Sequence, residues 1–343
     1  MNLSVPKTIL VYVSSDPDGA LGENFIKIPF LRALRSAYPD ARLSWVPGTG
    51  APVYENALAP MVEGLIDEFI TDLVMPKKAR AILSSVRPLR GRAFDVIVDL
   101  QSNLFWTLQL RRIAHKKFIS STWGWVFSAA KPPKEQGRAT RESIRLVSLA
   151  AAAAGRALPV PYDIPVPEKF REAAAAFLPP GPIYVGIAPG AGNQVRGKLW
   201  PLDRYLALGR DQVTKGRKPV VFLGGSEKKW LDAIRTALPE ALIPEFDDNA
   251  HLAVRGPALT AAMGRHLAAA VANCSGTGHM LGTGGAPMVS LYGPTNPEKY
   301  APHGLRTVTI QARDFGGGKA IEAIPLEAVI AAVDAQIERS GGT

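Results

Sequence analysis

The chain reads as an α/β protein built from two Rossmann-like, doubly wound domains, and three observations lead there. Short β-branched or apolar runs alternate with helix-patterned segments along its length, the mark of parallel sheets covered by helices. At 343 residues it is too long for one ordinary core and suits two. Between two alternating series, residues 155–182 turn Pro-rich, with Pro159, Pro161, Pro165, Pro167, Pro179, Pro180 and Pro182 around one short Ala-rich helix. The expected organisation is a first domain over 1–165, a linker over 166–182, a second domain over 183–325, and a closing helix and tail over 326–343.

In the first series the patterns predict strands at Thr8–Val13, Arg42–Val46, Phe94–Leu100 and Lys117–Ser121. Helices are expected near Glu23–Ala37, Lys77–Val86, Leu104–Ala114 and Thr140–Ala154, the last absorbing the alanine run at 150–154. The second series predicts strands near Ile183–Ala188, Pro219–Leu223, Ala268–Asn273, Pro287–Tyr292 and Thr307–Gln311, with a final helix near Leu326–Arg339. Ligands of doubly wound sheets bind beyond the carboxyl ends of the strands, so two such domains facing each other put the expected site in the cleft between them.

The most informative segment is Asn273-Cys274-Ser275-Gly276-Thr277-Gly278-His279, followed by an apolar stretch and Leu291-Tyr292-Gly293-Pro294-Thr295-Asn296-Pro297. It reads as a buried strand, a glycine-rich turn, a short helix, and a second strand closed by a rigid turn. Amides at a helix N-terminus carry partial positive charge and lack internal partners, so glycines that let an anion approach make a diphosphate seat without a metal. The same residues also fit an ordinary strand-turn-helix whose glycines serve packing. His279, on the first turn of that helix, is either a diphosphate contact or a packed histidine.

Gly192-Asn193-Gln194-Val195-Arg196-Gly197-Lys198 has the Gly and Lys spacing of a P-loop, but Leu199 stands where a Mg²⁺-binding Ser or Thr belongs and Trp200-Pro201 moves the helix start later. An NTPase is excluded, and what survives is a loop presenting Lys198, and with it Arg196, to an anion. Asp16-Pro17-Asp18 resembles a metal-holding Asp-x-Asp pair, although Asp and Pro are equally at home in a capped turn. Gly19-Ala20-Leu21-Gly22-Glu23 lacks the dinucleotide fingerprint after the first strand, which argues against NAD chemistry. Glu23, opening a helix there, suits a general base or simply complements the helix end. Glu227, after Phe222-Leu223-Gly224-Gly225-Ser226, stands at a strand end where a carboxylate can accept both hydroxyls of a ribose.

Composition narrows the partners. Hydrophobic content of 47% and charged content of 20% describe a globular protein, and no apolar run reaches the roughly 18 residues needed to span a bilayer. The apolar start Thr8–Val13 fits a first strand and not a secretory signal, so a cytoplasmic location is expected. The single cysteine, Cys274, excludes an internal disulfide and a cysteine-built zinc site. Net charge is +10, with 21 Lys+Arg against 14 Asp+Glu up to residue 165 and 19 against 16 after it. Lys77-Lys78-Ala79-Arg80, Arg87 to Arg92, Arg111-Arg112 with Lys116-Lys117, and Arg138, Arg141 and Arg145 on one expected helix suit an anionic membrane surface or phosphorylated lipid, or are solvated helix faces. Aromatic residues do not interleave with these clusters as a stacking platform requires, so nucleic acid is not the expected partner.

Together these segments resemble the lipopolysaccharide heptosyltransferases, glycosyltransferase family nine, with its GT-B fold of two Rossmann-like domains. Four stretches carry the resemblance in order: Gly19 to Glu23 through Pro29 to Leu34; Phe94-Asp95-Val96-Ile97-Val98-Asp99-Leu100-Gln101-Ser102-Asn103; Pro189-Gly190-Ala191 through Lys198-Leu199-Trp200-Pro201; and Ser275-Gly276 through Gly293 to Pro297. The resemblance implies an inverting transfer of heptose from ADP-heptose to a phosphorylated glycolipid of the lipopolysaccharide core, with no metal and no cofactor, by a protein peripheral to the anionic inner membrane. It makes Glu23 the base, Lys198 the diphosphate partner, Glu227 the ribose or nucleoside contact, and Gly22, Cys274, Ser275, Gly276, Thr277, Gly278 and His279 part of the donor seat. Two positions depart from the family pattern, which has aspartate at both Glu23 and Cys274. A neutral thiol cannot accept charge-assisted hydrogen bonds as a carboxylate does. A different nucleotide sugar, or a non-catalytic nucleotide-sugar binding protein on the same fold, is the alternative implied by those substitutions.

Overall fold

The computed structural model describes residues 5–15, 21–48, 52–71, 73, 87–191, 197–247 and 254–341. The expected helix Lys77–Val86, the turn Asp16-Pro17-Asp18 with Gly19-Ala20, and residues 192–196 of the Gly-rich loop, Arg196 among them, lie outside the described residues. The chain forms two compact units, one of residues 1–20 with 27–161 and one of residues 21–26 with 162–343.

The chain opens with β1 (Thr8–Ser15), and α1 (Leu21–Phe25), which follows, is part of the second unit. The first unit continues with α2 (Ile28–Ala37), β2 (Arg42–Gly48), α3 (Ala59–Val62), β3 (Glu68–Phe69), β4 (Ala93–Asp99), α4 (Leu104–Leu110), β5 (Ala114–Ser120) and α5 (Glu142–Ala154). Its strands form one parallel sheet in the order β3-β2-β1-β4-β5, with Ile9 of β1 opposite Leu43 and Val96. Leu10, Tyr12, Val46, Phe94, Ile97 and Phe118 gather in its core.

Three expectations are corrected in this unit. The helix expected over Glu23–Ala37 is two helices, because Pro29 sits in the first turn of α2, where its missing N–H is harmless; inside a continuous helix its ring would clash with the carbonyl of Phe25. The helix expected over Leu104–Ala114 stops at Leu110, since pairing of Ala114 with Ala93 starts edge strand β5 there. Arg138, Arg141 and Arg145 do not share a helix: α5 begins at Glu142, and Arg145 on it pairs with Glu142 at 2.6 Å and reaches Ser121 at 2.9 Å. Several cations expected to face an anionic partner have structural roles. Lys116 pairs with Asp95 at 2.7 Å, Arg92 with Glu68 at 2.7 Å, and Lys117 donates to the carbonyls of Ala152 and Ala153 at the end of α5.

The second unit holds α6 (Glu168–Phe177), β6 (Tyr184–Ala188), α7 (Leu202–Thr214), β7 (Lys218–Val221), α8 (Leu231–Ala237), α9 (Pro257–Met263), β8 (Leu267–Asn273), α10 (Gly276–Thr283), β9 (Met288–Tyr292), α11 (Pro297–Tyr300), β10 (Thr307–Gln311) and α12 (Leu326–Gly341). Its parallel sheet runs β10-β9-β8-β6-β7. Leu242, bridged to Val220 beyond β7, stands where one more edge strand would lie. The sheet then has the doubly wound order 3-2-1-4-5-6, which reverses direction between β6 and β8. Both strands are buried on both faces, and Val185, Ile187, Val271 and Val289 meet Leu208 of α7 and Val333 of α12 in the core. Among the described residues no helix is long and apolar enough to cross a membrane.

Candidate functional site

The reversal between β6 and β8 fixes where a ligand of the second unit belongs, because chains leaving the two strands depart in opposite directions and open a crevice at their carboxyl ends. β6 leads into Pro189-Gly190, and β8 leads through Cys274 and Ser275 into α10. Asn273, the last residue of β8 and fully buried, ties the two sides together. Its amide nitrogen donates to the Pro189 carbonyl at 2.7 Å, and its amide oxygen accepts from the Trp200 N–H at 3.1 Å. Trp200 is held in turn by its indole N–H on the Ile324 carbonyl at 3.0 Å and by an edge contact with Tyr205. Sequence reasoning missed Asn273; the available signal was a polar residue closing an otherwise apolar strand.

Ser275 caps α10, its hydroxyl accepting from the Gly278 N–H at 3.2 Å. The amides of Gly276 and Thr277 have no partner within their own helix and form its positive end. The glycines here serve packing as well as approach. A Cβ on Gly22 would stand 2.7 Å from the Gly276 Cα, so α1 lies against the first turn of α10 with only hydrogens between. Gly278 is pressed on Ala272, 3.1 Å from a built Cβ. Glu23, next to Gly22 in the first turn of α1, is exposed, while Gly22 is buried.

Gly197 takes a left-handed conformation, φ 78°, and its carbonyl lies so close to Gly293 that a Cβ there would come within 2.6 Å. This contact lays the end of the Gly-rich loop on the turn after β9 and delivers Lys198, half-buried, to Cys274. Burial pushes the Cys274 thiol upward in pKa, against the opposing pull of the Lys198 charge and the neighbouring Thr295 hydroxyl. Cys274 is therefore a neutral thiol beside an ammonium. Glu227, 8% exposed, accepts from the Gly224 N–H at 2.9 Å and the Ser226 hydroxyl at 2.7 Å. Its carboxylate rests on Gly190, where a Cβ would come within 2.8 Å of it, and each of its oxygens keeps a lone-pair direction for a diol.

His279 is 6% exposed, and its Nδ1 is buried with no hydrogen-bond partner. Burial, reinforced by His303, brings its pKa down to about 4. Near neutral pH it carries no charge, so electrostatic support for an anion at α10 comes from Lys198 and the first-turn amides. The second unit thus brings together Gly22, Glu23, Lys198, Glu227 and Cys274 to His279. Among the described residues no group of three or more His, Cys, Asp or Glu is placed to hold a metal ion.

The chain has known relatives. Over 132 residues the chain is 34% identical to lipooligosaccharide heptosyltransferase 2 of Haemophilus influenzae, a match covering 38% of this chain and about a third, 36%, of that protein. Among solved structures it resembles a family 9 glycosyl transferase from Veillonella parvula (20% identity, TM-score 0.66, 97% of both chains). It also resembles the ADP-heptose lps heptosyltransferase II of E. coli (18%, 0.64, 97% of this chain and 99% of that one). A third likeness is to E. coli heptosyltransferase WaaC with ADP (15%, 0.65, 96% and 99%), which is also solved with ADP-2-deoxy-2-fluoro heptose. The shared architecture is the GT-B pair of parallel-sheet α/β domains. The model of glycosyltransferase family 9 (heptosyltransferase) matches residues 82–322, the greater part of the sequence, and the chain belongs to that family.

Proposed function

We propose that the protein is an inverting, metal-independent glycosyltransferase that moves a heptose from ADP-heptose to a hydroxyl of a phosphorylated lipopolysaccharide-core glycolipid at the cytoplasmic face of the inner membrane. The observation that carries this reading is the meeting of Lys198 with the Ser275-capped first turn of α10 at the reversal point of the second sheet. That pairing of a fixed cation with unsatisfied amides suits a diphosphate, and Glu227 on Gly190 suits the ribose of the same nucleotide. In the mechanism, Glu23 takes the proton of the acceptor hydroxyl as its oxygen bonds to the anomeric carbon. The bond from that carbon to the diphosphate oxygen breaks on the opposite face, and ADP leaves with its electron pair. Lys198 and the Gly276 and Thr277 amides stabilise the charge that builds on the departing phosphate.

The test is calorimetric titration with ADP, GDP, UDP and ADP-heptose, then ADP release on adding a deacylated lipopolysaccharide acceptor. Selective ADP-heptose binding with acceptor-dependent ADP release supports the reading; preference for another nucleotide removes heptose as the sugar. Glu23→Gln is expected to lower kcat by roughly 10²-fold or more while donor affinity stays within a few-fold. Equal loss of both would take Glu23 out of the base role.

The neutral thiol at Cys274 favours one second reading, a nucleotide-sugar binding protein that does not turn over. Under it the wild type binds donor without acceptor-dependent release, and Cys274→Asp tightens donor binding.

A further inference from the structure

The turn Thr122-Trp123-Gly124-Trp125-Val126-Phe127, between β5 and α5 of the first unit, holds two large apolar side chains out to the surface. Trp123 is 68% exposed and Val126 71% exposed. Trp123, Gly124 and Trp125 all have left-handed backbone, with φ of 49°, 65° and 74°. Two tryptophans in that region, either side of Gly124, are costly, at about 1–2 kcal/mol each, so the turn is held by its surroundings.

Those surroundings are visible. At the base, the Thr122 hydroxyl lies 2.7 Å from that of Thr107 and 2.9 Å from that of Ser120, and both of these donate to the buried Asp99 carboxylate. On the far side the Ala129 N–H bonds the Phe118 carbonyl at 2.8 Å and the Ser128 N–H bonds Trp125 at 3.1 Å. The Arg111 guanidinium lies 5.9 Å from both the Phe118 and Phe127 ring centres and donates to the Phe127 carbonyl, and Trp123 leans on Phe127. A rigid base therefore presents an apolar tip to the outside.

The segment is mostly positive. Residues 101–141 contain eight lysines and arginines against a single carboxylate, Glu135, and although Lys116, Lys117 and Arg111 are engaged within the protein, other cations of the stretch face outward. Lys131, Lys134 and Arg138 within it are exposed. Tryptophan beside lysine and arginine is the composition of the headgroup layer of a bilayer, where an indole is half wet and cations meet lipid phosphate.

We propose that the Trp123–Phe127 turn seats the protein on an anionic lipid bilayer, with Trp123 and Val126 in the interfacial layer and the surrounding cations on lipid phosphates. The turn lies outside the donor site, and the proposal rests on the reading of a lipid-linked acceptor only for its purpose, not for its physics.

The experiment is flotation of the full-length protein with phosphatidylglycerol-rich and with pure phosphatidylcholine vesicles at matched ionic strength. Wild type, Trp123→Ser/Val126→Ser and Trp123→Phe are compared. Wild type should partition to the anionic vesicles, the double variant should lose on the order of thirtyfold in partitioning, and Trp123→Phe should retain most of it. Brominated acyl chains should quench wild-type tryptophan fluorescence more than that of Trp123→Ser. Equal partitioning of the double variant and wild type overturns the proposal, as does no wild-type preference for anionic vesicles. Tighter binding to single-stranded DNA than to vesicles, lost in the double variant, also overturns it and assigns the turn to nucleic acid. Donor calorimetry on the same samples separates the two readings: absent donor binding with intact vesicle binding sinks only the transferase.

Discussion

Single atoms decide the geometry of the donor seat. At Gly22 a methyl group would have to occupy space 2.7 Å from the Gly276 Cα, backbone against backbone, whereas at Gly276 the nearest obstacle to a methyl is 3.2 Å away. Gly22→Ala is therefore expected to be the more damaging of the two, costing about 1–3 kcal/mol as α1 lifts from α10. Glu23 would move with it, so turnover should fall further than donor affinity; thermal melts and steady-state kinetics on both variants check the order. Asn273 gives a second prediction. Asn273→Leu leaves the Pro189 carbonyl and the Trp200 N–H buried without their partner, at about 1–3 kcal/mol for each group, so a lowered Tm with weakened donor binding is expected. Asn273 is marked in the sequence only as a polar residue closing an apolar strand, and the packing role of Gly22 is not marked at all. Glycine in a motif reads as freedom for a ligand, and only the fold shows that Gly22 and Gly276, some 250 positions apart, meet each other.

Elements were more legible than atoms where one periodicity governed them and less so where two rules competed. The buried strands β6, β8 and β9 are apolar runs that only a parallel sheet covered on both faces accommodates, and they stand within a residue of their expected places. The break between α1 and α2 was not read, because the helical pattern runs on through Pro29 while the backbone does not. At α5 a cation read as a surface charge proves to be a cap. Lys117→Met should lose the bonds to Ala152 and Ala153 and cost about 1 kcal/mol in urea unfolding, with no change in salt dependence of binding. In α10, His279 is neutral in the native protein, its pKa lowered from 6.5 to about 4. The unfolded chain binds the extra proton below about pH 6.5, so stability falls as pH drops from there to about 4. His279→Gln should flatten that slope, by at most about 3 kcal/mol across the window, in denaturant titrations at stepped pH.

Across the whole molecule, the two units carry different acid sensitivities. In the first, Glu68 and Asp95 are held down at about 2 by Arg92 and Lys116, so their contribution is present above the ordinary carboxylate range and is lost only as pH falls toward 2. Asp99, pushed up by burial, acts in the opposite sense and favours the folded state on protonation. The second unit already weakens below about pH 6.5 through His279. On stepwise acidification, hydrogen exchange should open the second unit before the first; the reverse order would mean that other groups dominate. The fold class was legible at this scale because alternation marks nine of the ten strands, all but the two-residue β3, but membership of α1 in the second unit was not, since nothing local encodes a contact so distant in sequence. That membership sets a timetable for biosynthesis. Residues 21–26 are made some 250 residues before Gly276, and at roughly 5–20 residues per second they wait ten seconds or more for it to follow. The donor seat is thus completed only after α10 has been made, and a nascent chain halted before α10 has made its candidate base with nothing yet to hold it.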